Sequence, residues 1–245
     1  MTTAVRSSAR TYWSQSRSHR YSLLFALPLL LVYELLGAIS PVRMQGGVVR
    51  NGADVVLTDL FIYLLGPRGP LVFMAMVIGG ALWLIRRDRS AGRVQPGVFA
   101  AMLGEAVVLA MVFGVVVGTV TVRVLGPLRA MVAGGIGGTS LERLTLSLGA
   151  GLYEELLFRV VIVALLSNAF RLLGIGRLPA GVAATVLGAL LFSAFHYIGP
   201  LGEPLALESF IFRAIAGLAF SALYLTRGFG ITAWTHALYD VAVLL

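Results

Sequence analysis

Long apolar runs almost free of charge dominate this chain, and they leave it few folds to choose from. Stretches of about 20 largely apolar residues, enough for a helix to cross a hydrocarbon core, lie near 21–39, 70–87, 97–122, 146–170, 180–198, 207–226 and 229–245. Backbone polar groups cannot stay unpaired in lipid, and a helix satisfies them within one segment. The expected fold is therefore all-α: a polytopic membrane helical bundle of about seven transmembrane helices. A further apolar segment, Ala53 to Gly66, is shorter, carries Asp54 and Asp59, and stops at Gly66-Pro-Arg-Gly-Pro70. That composition predicts a short interfacial or re-entrant helix. The 245 residues are 58% hydrophobic and only 12% charged, about half the charged share of a soluble domain. One transmembrane domain over 21–245 follows, behind a basic N-terminal segment over 1–20.

The net charge of +8 does not point to nucleic acid. The arginines sit in short connections between apolar runs, where the positive-inside rule accounts for them. All 19 basic residues are arginine, a usage that fits a GC-rich bacterial genome and hence a bacterial inner (cytoplasmic) membrane. The chain has no cysteine, which excludes disulfides, thiolate metal ligands and a cysteine nucleophile. Arg6, Arg10, Arg17 and Arg20 before the first apolar run resemble a secretory signal. That run, however, contains Glu34 and ends at Ser40-Pro41 without a small-x-small cleavage site, so a retained first helix is expected.

Arginine counting orients the bundle. The N-terminal arginines, the turn Arg86-Arg87-Asp88-Arg89 with Arg93, the pair Arg171 and Arg177, and Arg227 all fit cytoplasmic connections. The connection 199–206 holds Glu203 and no arginine, which suits the opposite side. Arg43, Arg50, Arg123 and Arg129 run against this pattern. The expectation is a cytoplasmic N-terminus and an external C-terminus. Tyr12, Trp13 and Tyr21 read as interfacial anchors, and Gly114-Val-Val-Val-Gly118 as a small-residue packing face. Ala133 to Ser140 reads as a glycine-rich loop, with Ser140 capping the next helix.

Chemistry is suggested by charge in the wrong solvent. Glu154 and Glu155 stand side by side in Gly151-Leu-Tyr-Glu-Glu-Leu-Leu-Phe-Arg159, and each ionised acid in hydrocarbon costs several kcal/mol. Glu155 and Arg159 are four apart and share a helix face, so they can neutralise each other. Glu154 points about 100° away and has no local partner. A partly desolvated carboxylate without an ion partner suits a general base near neutral pH. Two of the chain's three histidines, His196 and His236, also lie in apolar segments. Phe192 stands one turn before His196, and Asp240 one turn after His236, where it can accept an imidazole N–H and aim the other nitrogen. His19, among arginines, reads as solvated. Glu34, Glu105 and Arg213 read as internal pairs or the lining of a polar cleft. Read singly, a Glu–Arg latch, an interfacial histidine and a His–Asp packing pair are each as well explained by structure. Their joint occurrence in three spans points to a site.

Glu-Glu-x-x-x-Arg at 154–159, Phe-x-x-x-His at 192–196 and His-x-x-x-Asp at 236–240 together resemble the signature of the CPBP family, the CAAX proteases and bacteriocin-processing enzymes. The resemblance covers about 140–245, the expected catalytic core. It implies an intramembrane glutamic endopeptidase in which Glu154, with His196, positions and deprotonates a water, while His236 and Asp240 stabilise the oxyanion. Many members have asparagine where this chain has Asp240. An ionised aspartate would repel an oxyanion, so Asp240 is expected either to be protonated or, preferably, only to orient His236. The expected mechanism needs no cofactor. The alternative is zinc held by Glu154, His196 and His236 with an open water position.

The expected substrate is a membrane-anchored protein or peptide, cut near its C-terminal tail at a site opening outward; oligomeric state is not legible. Two readings from other classes stay open. One is a transporter using the buried charges as a proton or ion relay, although inverted repeats and broken helices are not seen. The other is a non-catalytic maturation scaffold.

Overall fold

The computed structural model describes residues 11–39, 43–44, 47–48, 50–88, 93–125, 139–199 and 202–245. A short helical stretch over 11–16 leads into α1 (His19–Ile39). A two-residue antiparallel ladder follows, β1 (Arg43–Met44) with β2 (Gly47–Val48). Next come α2 (Gly52–Leu65), a 3-10 turn (Gly66–Arg68), α3 (Gly69–Arg87) and α4 (Pro96–Leu125). The next element is helical throughout but not uniform: α5 (Ser140–Gly149), two π-helical stretches (Ala150–Glu154 and Leu156–Ile162), then α6 (Val163–Leu172). Finally come α7 (Arg177–Phe195), α8 (Leu207–Arg227) and α9 (Phe229–Leu244).

This is the helical membrane bundle that the apolar runs require. Five segments are long and apolar enough to cross a membrane: His19–Ile39, Gly52–Arg87, Pro96–Leu125, Arg177–Phe195 and Leu207–Arg227. The other two expected spans differ for a physical reason. Ser140 to Leu172 carries its charges at mid-element and is broken by π-turns, and α9 has only 16 residues. The π-stretches as far as Arg159 and the first half of α9 are largely buried, whereas α6 has no buried residue. On α9, Gly230 to Ala233 and Thr235 to Ala237 are buried, so it is enclosed rather than lipid-facing. The outer helices α3 and α4 show the opposite pattern, with Leu71 75% and Val115 69% exposed.

Two glycines set how deeply α9 is held. A Cβ on Gly151 would lie 2.3 Å from the Ala233 carbonyl oxygen, and one on Gly230 would lie 2.3 Å from that of Ser22. The α9 backbone is thus in direct contact with the first π-stretch on one side and α1 on the other, a small-residue packing mode common between membrane helices. Gly114 gives Tyr239 of α9 similar room on α4, while nothing lies near Gly118.

The short segment before Gly66 is α2, which ends at Gly66 with φ 66°. That left-handed turn, which glycine adopts without strain, lets α3 pack back on α2, with the Phe61 and Phe73 rings 5.2 Å apart. The expected cap at Ser140 moves by one residue. Thr139 caps α5 by accepting from the Glu142 backbone N–H, while the Glu142 carboxylate accepts from the Thr139 N–H. It is a full capping box, which counting from Ser140 to Arg143 missed. The rest of the expected glycine-rich loop lies outside the described residues, as do residues 1–10.

Tyr21 is fully buried against Phe99, at 5.1 Å, and is no interfacial anchor. Trp13 and Tyr12 instead pack over the Arg227 guanidinium, at 3.9 and 5.5 Å. Arg227 donates to both oxygens of Glu105, at 2.5 and 2.7 Å, and Tyr12 donates to one of them. Burial, with that carboxylate beside it, holds the Tyr12 hydroxyl well above its usual range. Glu34 pairs with Arg50 at 2.9 Å and Arg213 with Glu203 at 2.6 Å. The three stray charges are therefore internal pairs. Arg50, one of the arginines that broke the orientation pattern, is neutralised by neighbouring acids.

Candidate functional site

The interrupted element carries the two glutamates at the junction of its π-stretches. In a π-turn the N–H reaches back five residues, as Val163 does to the Phe158 carbonyl. Such turns widen a helix locally and recur at functional sites. Here the change falls between Glu154, which ends one stretch, and Leu156, which begins the next.

Glu155 is fully buried, and its Oε1 faces two cations or cation precursors. Arg159 Nη1 lies 3.2 Å away and His236 Nδ1 2.7 Å away. An ionised carboxylate only accepts, so His236 Nδ1 carries the shared proton. The Arg159 guanidinium, 2% exposed, also donates to the Gly217 carbonyl at 3.3 Å. It lies over the faces of Phe192 and Phe220, at 4.5 and 5.5 Å. The expected Glu155–Arg159 pair is present, but it does more than neutralise itself: it holds the α9 imidazole.

Glu154 points elsewhere, as the spacing predicted. It is 6% exposed, and its Oε1 accepts from Asn51 Nδ2 at 2.9 Å. Its Oε2 is buried and has no hydrogen-bond partner among the described residues. The carboxylate is close enough to His196 and His236 to interact electrostatically with both, although no hydrogen bond joins it to either among the described residues.

His196 stands at the C-terminal end of α7, where its Nδ1 lies 2.9 Å from the Phe192 carbonyl. A carbonyl only accepts, so Nδ1 carries the proton and Nε2 is free for other work. The Phe192 ring separates the two imidazoles, meeting His196 edge-on at 5.0 Å and His236 at 6.1 Å. His236 is also stacked on Phe220 at 4.2 Å. Asp240 comes only to 3.6 Å of His236 Nε2, too far for a hydrogen bond. The ring is therefore oriented by Glu155 through Nδ1, where the sequence had suggested Asp240.

The zinc set expected as the alternative, Glu154, His196 and His236, is not gathered into a ready cluster. Among the described residues no three His, Asp or Glu side chains are grouped to hold a metal ion. His236 Nδ1 is committed to Glu155 and Glu154 Oε1 to an amide donor. Donating one ring N–H to a carboxylate is also what zinc-binding histidines do, so only the missing cluster speaks against the expected zinc set.

The sequence reading missed Asn51. Its signal was an Asn-Gly step before an apolar run, which marks a helix cap but says nothing of a contact 103 positions away.

Breaking a buried pair leaves an orphan charge, at a cost of about 3–5 kcal/mol. Arg159→Met is expected to lower stability by about that amount in detergent melting. The Glu155→Gln/Arg159→Met double variant is expected to regain part of the loss. Equal stability of wild type and Arg159→Met would contradict the pairing.

No curated protein and no solved structure matches the chain significantly. The family model described as type II CAAX prenyl endopeptidase Rce1-like matches residues 137–242, from just before α5 to the last turn of α9. Glu154, His196 and His236 all fall within it, and over those residues the chain is similar to the Rce1-like, CPBP family of CAAX-protease-like endopeptidases.

Proposed function

We propose that the protein hydrolyses a peptide bond of a membrane-anchored protein or peptide, with Glu154 as general base. The observation that carries this reading is the division of labour between adjacent acids. Both acids leave Oε2 without a hydrogen-bond partner among the described residues. Glu155, however, spends its charge on Arg159 and His236, whereas Glu154 is bonded, among the described residues, only by a neutral amide in electrostatic range of two imidazoles. A carboxylate oxygen that no protein donor occupies can accept a proton from water.

In this mechanism Glu154 Oε2 removes a proton from a water that His196 Nε2 helps to hold. The hydroxide adds to the scissile carbonyl. His236, fixed through Nδ1 by Glu155 and protonated on Nε2, donates to the oxyanion. Asp240, beside that nitrogen, steadies the imidazolium before the oxyanion forms. Glu154 then returns its proton to the leaving amine, and the C–N bond breaks. No metal or other cofactor takes part.

Placement in a bacterial inner membrane with a cytoplasmic N-terminus, and a site opening to the far side, rest on arginine usage and distribution. Protein prenylation is not expected in a bacterium, so the substrate is taken as a membrane-anchored polypeptide cut near its C-terminal tail.

Comparing the N- and C-termini of membrane proteins in cells carrying wild type or Glu154→Gln tests the activity. Product termini are expected to fall about a hundredfold or more in the variant, the usual scale for losing a general base, at equal protein level. Unchanged termini would favour a transporter or scaffold. The chain has no cysteine, so single introduced thiols report the orientation. A thiol at Leu205 is expected to label from outside intact cells and one at Ser90 not to label; the reverse pattern would overturn the orientation.

A further inference from the structure

We infer that Asn51 is a positioning residue for Glu154, supplied to the site from outside the part of the chain that matches the family. The inference rests on the reading of Glu154 as the base and deepens it.

The geometry fixes which atom of the amide faces the acid. Asn51 is the N-cap of α2, and its Oδ1 accepts from the Ala53 backbone N–H at 2.9 Å. With the oxygen so engaged, Nδ2 is the atom turned to Glu154 Oε1, at 2.9 Å. A donor therefore meets a carboxylate, and the reverse amide orientation would lose both bonds. Asn51 is itself 5% exposed, so neither bond competes with bulk water.

The residue is held on further sides. Its backbone N–H donates to the Tyr33 hydroxyl at 3.0 Å, and that hydroxyl donates to Asp54 Oδ2 at 2.7 Å. Asp54 is fixed in turn by Thr58 at 3.2 Å and Arg50 at 3.4 Å. Gly149, just before the π-stretch, makes the approach possible: a Cβ there would stand 2.6 Å from both Asn51 Cβ and Tyr33 Cε2. Helices α1 and α2 thus clamp one amide against the turn that presents Glu154.

The consequence is asymmetric. Oε1 is pinned by a neutral donor, which brings no charge to quench the base, and Oε2 is left as the reacting oxygen. An ionic partner in place of the amide would make Glu154 a structural acid like its neighbour.

Capping and positioning can be separated because they use opposite ends of one amide. Asn51→Asp keeps the capping oxygen and removes the donor. The chain has only two asparagines, Asn51 and Asn168, so the ¹⁵N-asparagine-labelled full chain in nanodiscs gives two side-chain amide signals. Asn51→Asp assigns them. In Glu154→Gln the Asn51 pair is expected to move while that of Asn168, exposed on α6, stays in place.

In cells, Asn51→Ser, whose hydroxyl caps but is shorter than the amide, is expected to melt close to wild type yet to form the product termini at least about tenfold more slowly, the lower end of what a misplaced base loses. Asn51→Asp repeats the measurement with a second carboxylate set against Glu154, and is expected to lose at least as much. An unmoved Asn51 signal, or wild-type processing by either variant, overturns the inference while Glu154 keeps its role. Continued processing by Glu154→Gln removes the base reading, and this inference with it, even where the amide signal has moved.

Discussion

Placing carboxylates where water cannot reach them is the constraint that organises this protein. Glu154 is 6% exposed and Glu155 not at all, and a buried charge left alone would be intolerable. Each acid recruits its own partners, at least one of them from distant sequence. Glu155 draws in Arg159 from its own element and His236 from α9; Glu154 draws in Asn51 from the cap of α2. The site is thus also the polar centre about which α1, α2, α7, α8 and α9 are arranged.

Packing serves that centre. The bare backbones at Gly151 and Gly230 bring α9 into contact with the glutamate-bearing element and with α1, which sets where His236 can stand. Phe192 and Phe220 then act as walls. They cover the Arg159 guanidinium and hold the two imidazoles apart. A mostly aromatic enclosure strengthens every electrostatic interaction inside it. It also keeps His196 and His236 from simply pairing with Glu154.

Much of this was legible in the sequence because the bilayer is a strict solvent. Apolar runs of fixed length predicted the helices, and charges inside those runs marked the site. Spacing by four predicted the Glu155–Arg159 pair and the separate direction of Glu154. What could not be read depended on geometry between elements or within a turn. The π-stretches have no simple residue signature, so the change of pitch between Glu154 and Leu156 was invisible. His236 bonds Glu155, 81 positions away, and leaves the nearby Asp240 at 3.6 Å; local spacing favoured the wrong acid. Asn51 did not stand out, because its sequence context marks at most a local helix cap and carries no trace of Glu154. The Thr139–Glu142 box was hidden by a frame error of one residue.

The central claim is convergence: side chains from three separate elements must meet around Glu154 inside the membrane. Short bifunctional thiol cross-linking measures this directly, since the natural chain contributes no cysteine of its own. Pairs of introduced thiols at 154 and 196, and at 154 and 236, are predicted to join within one chain in native membranes, whereas 154 paired with lipid-facing Val115 should not. Failure of both site pairs, or efficient joining to 115, would contradict the account.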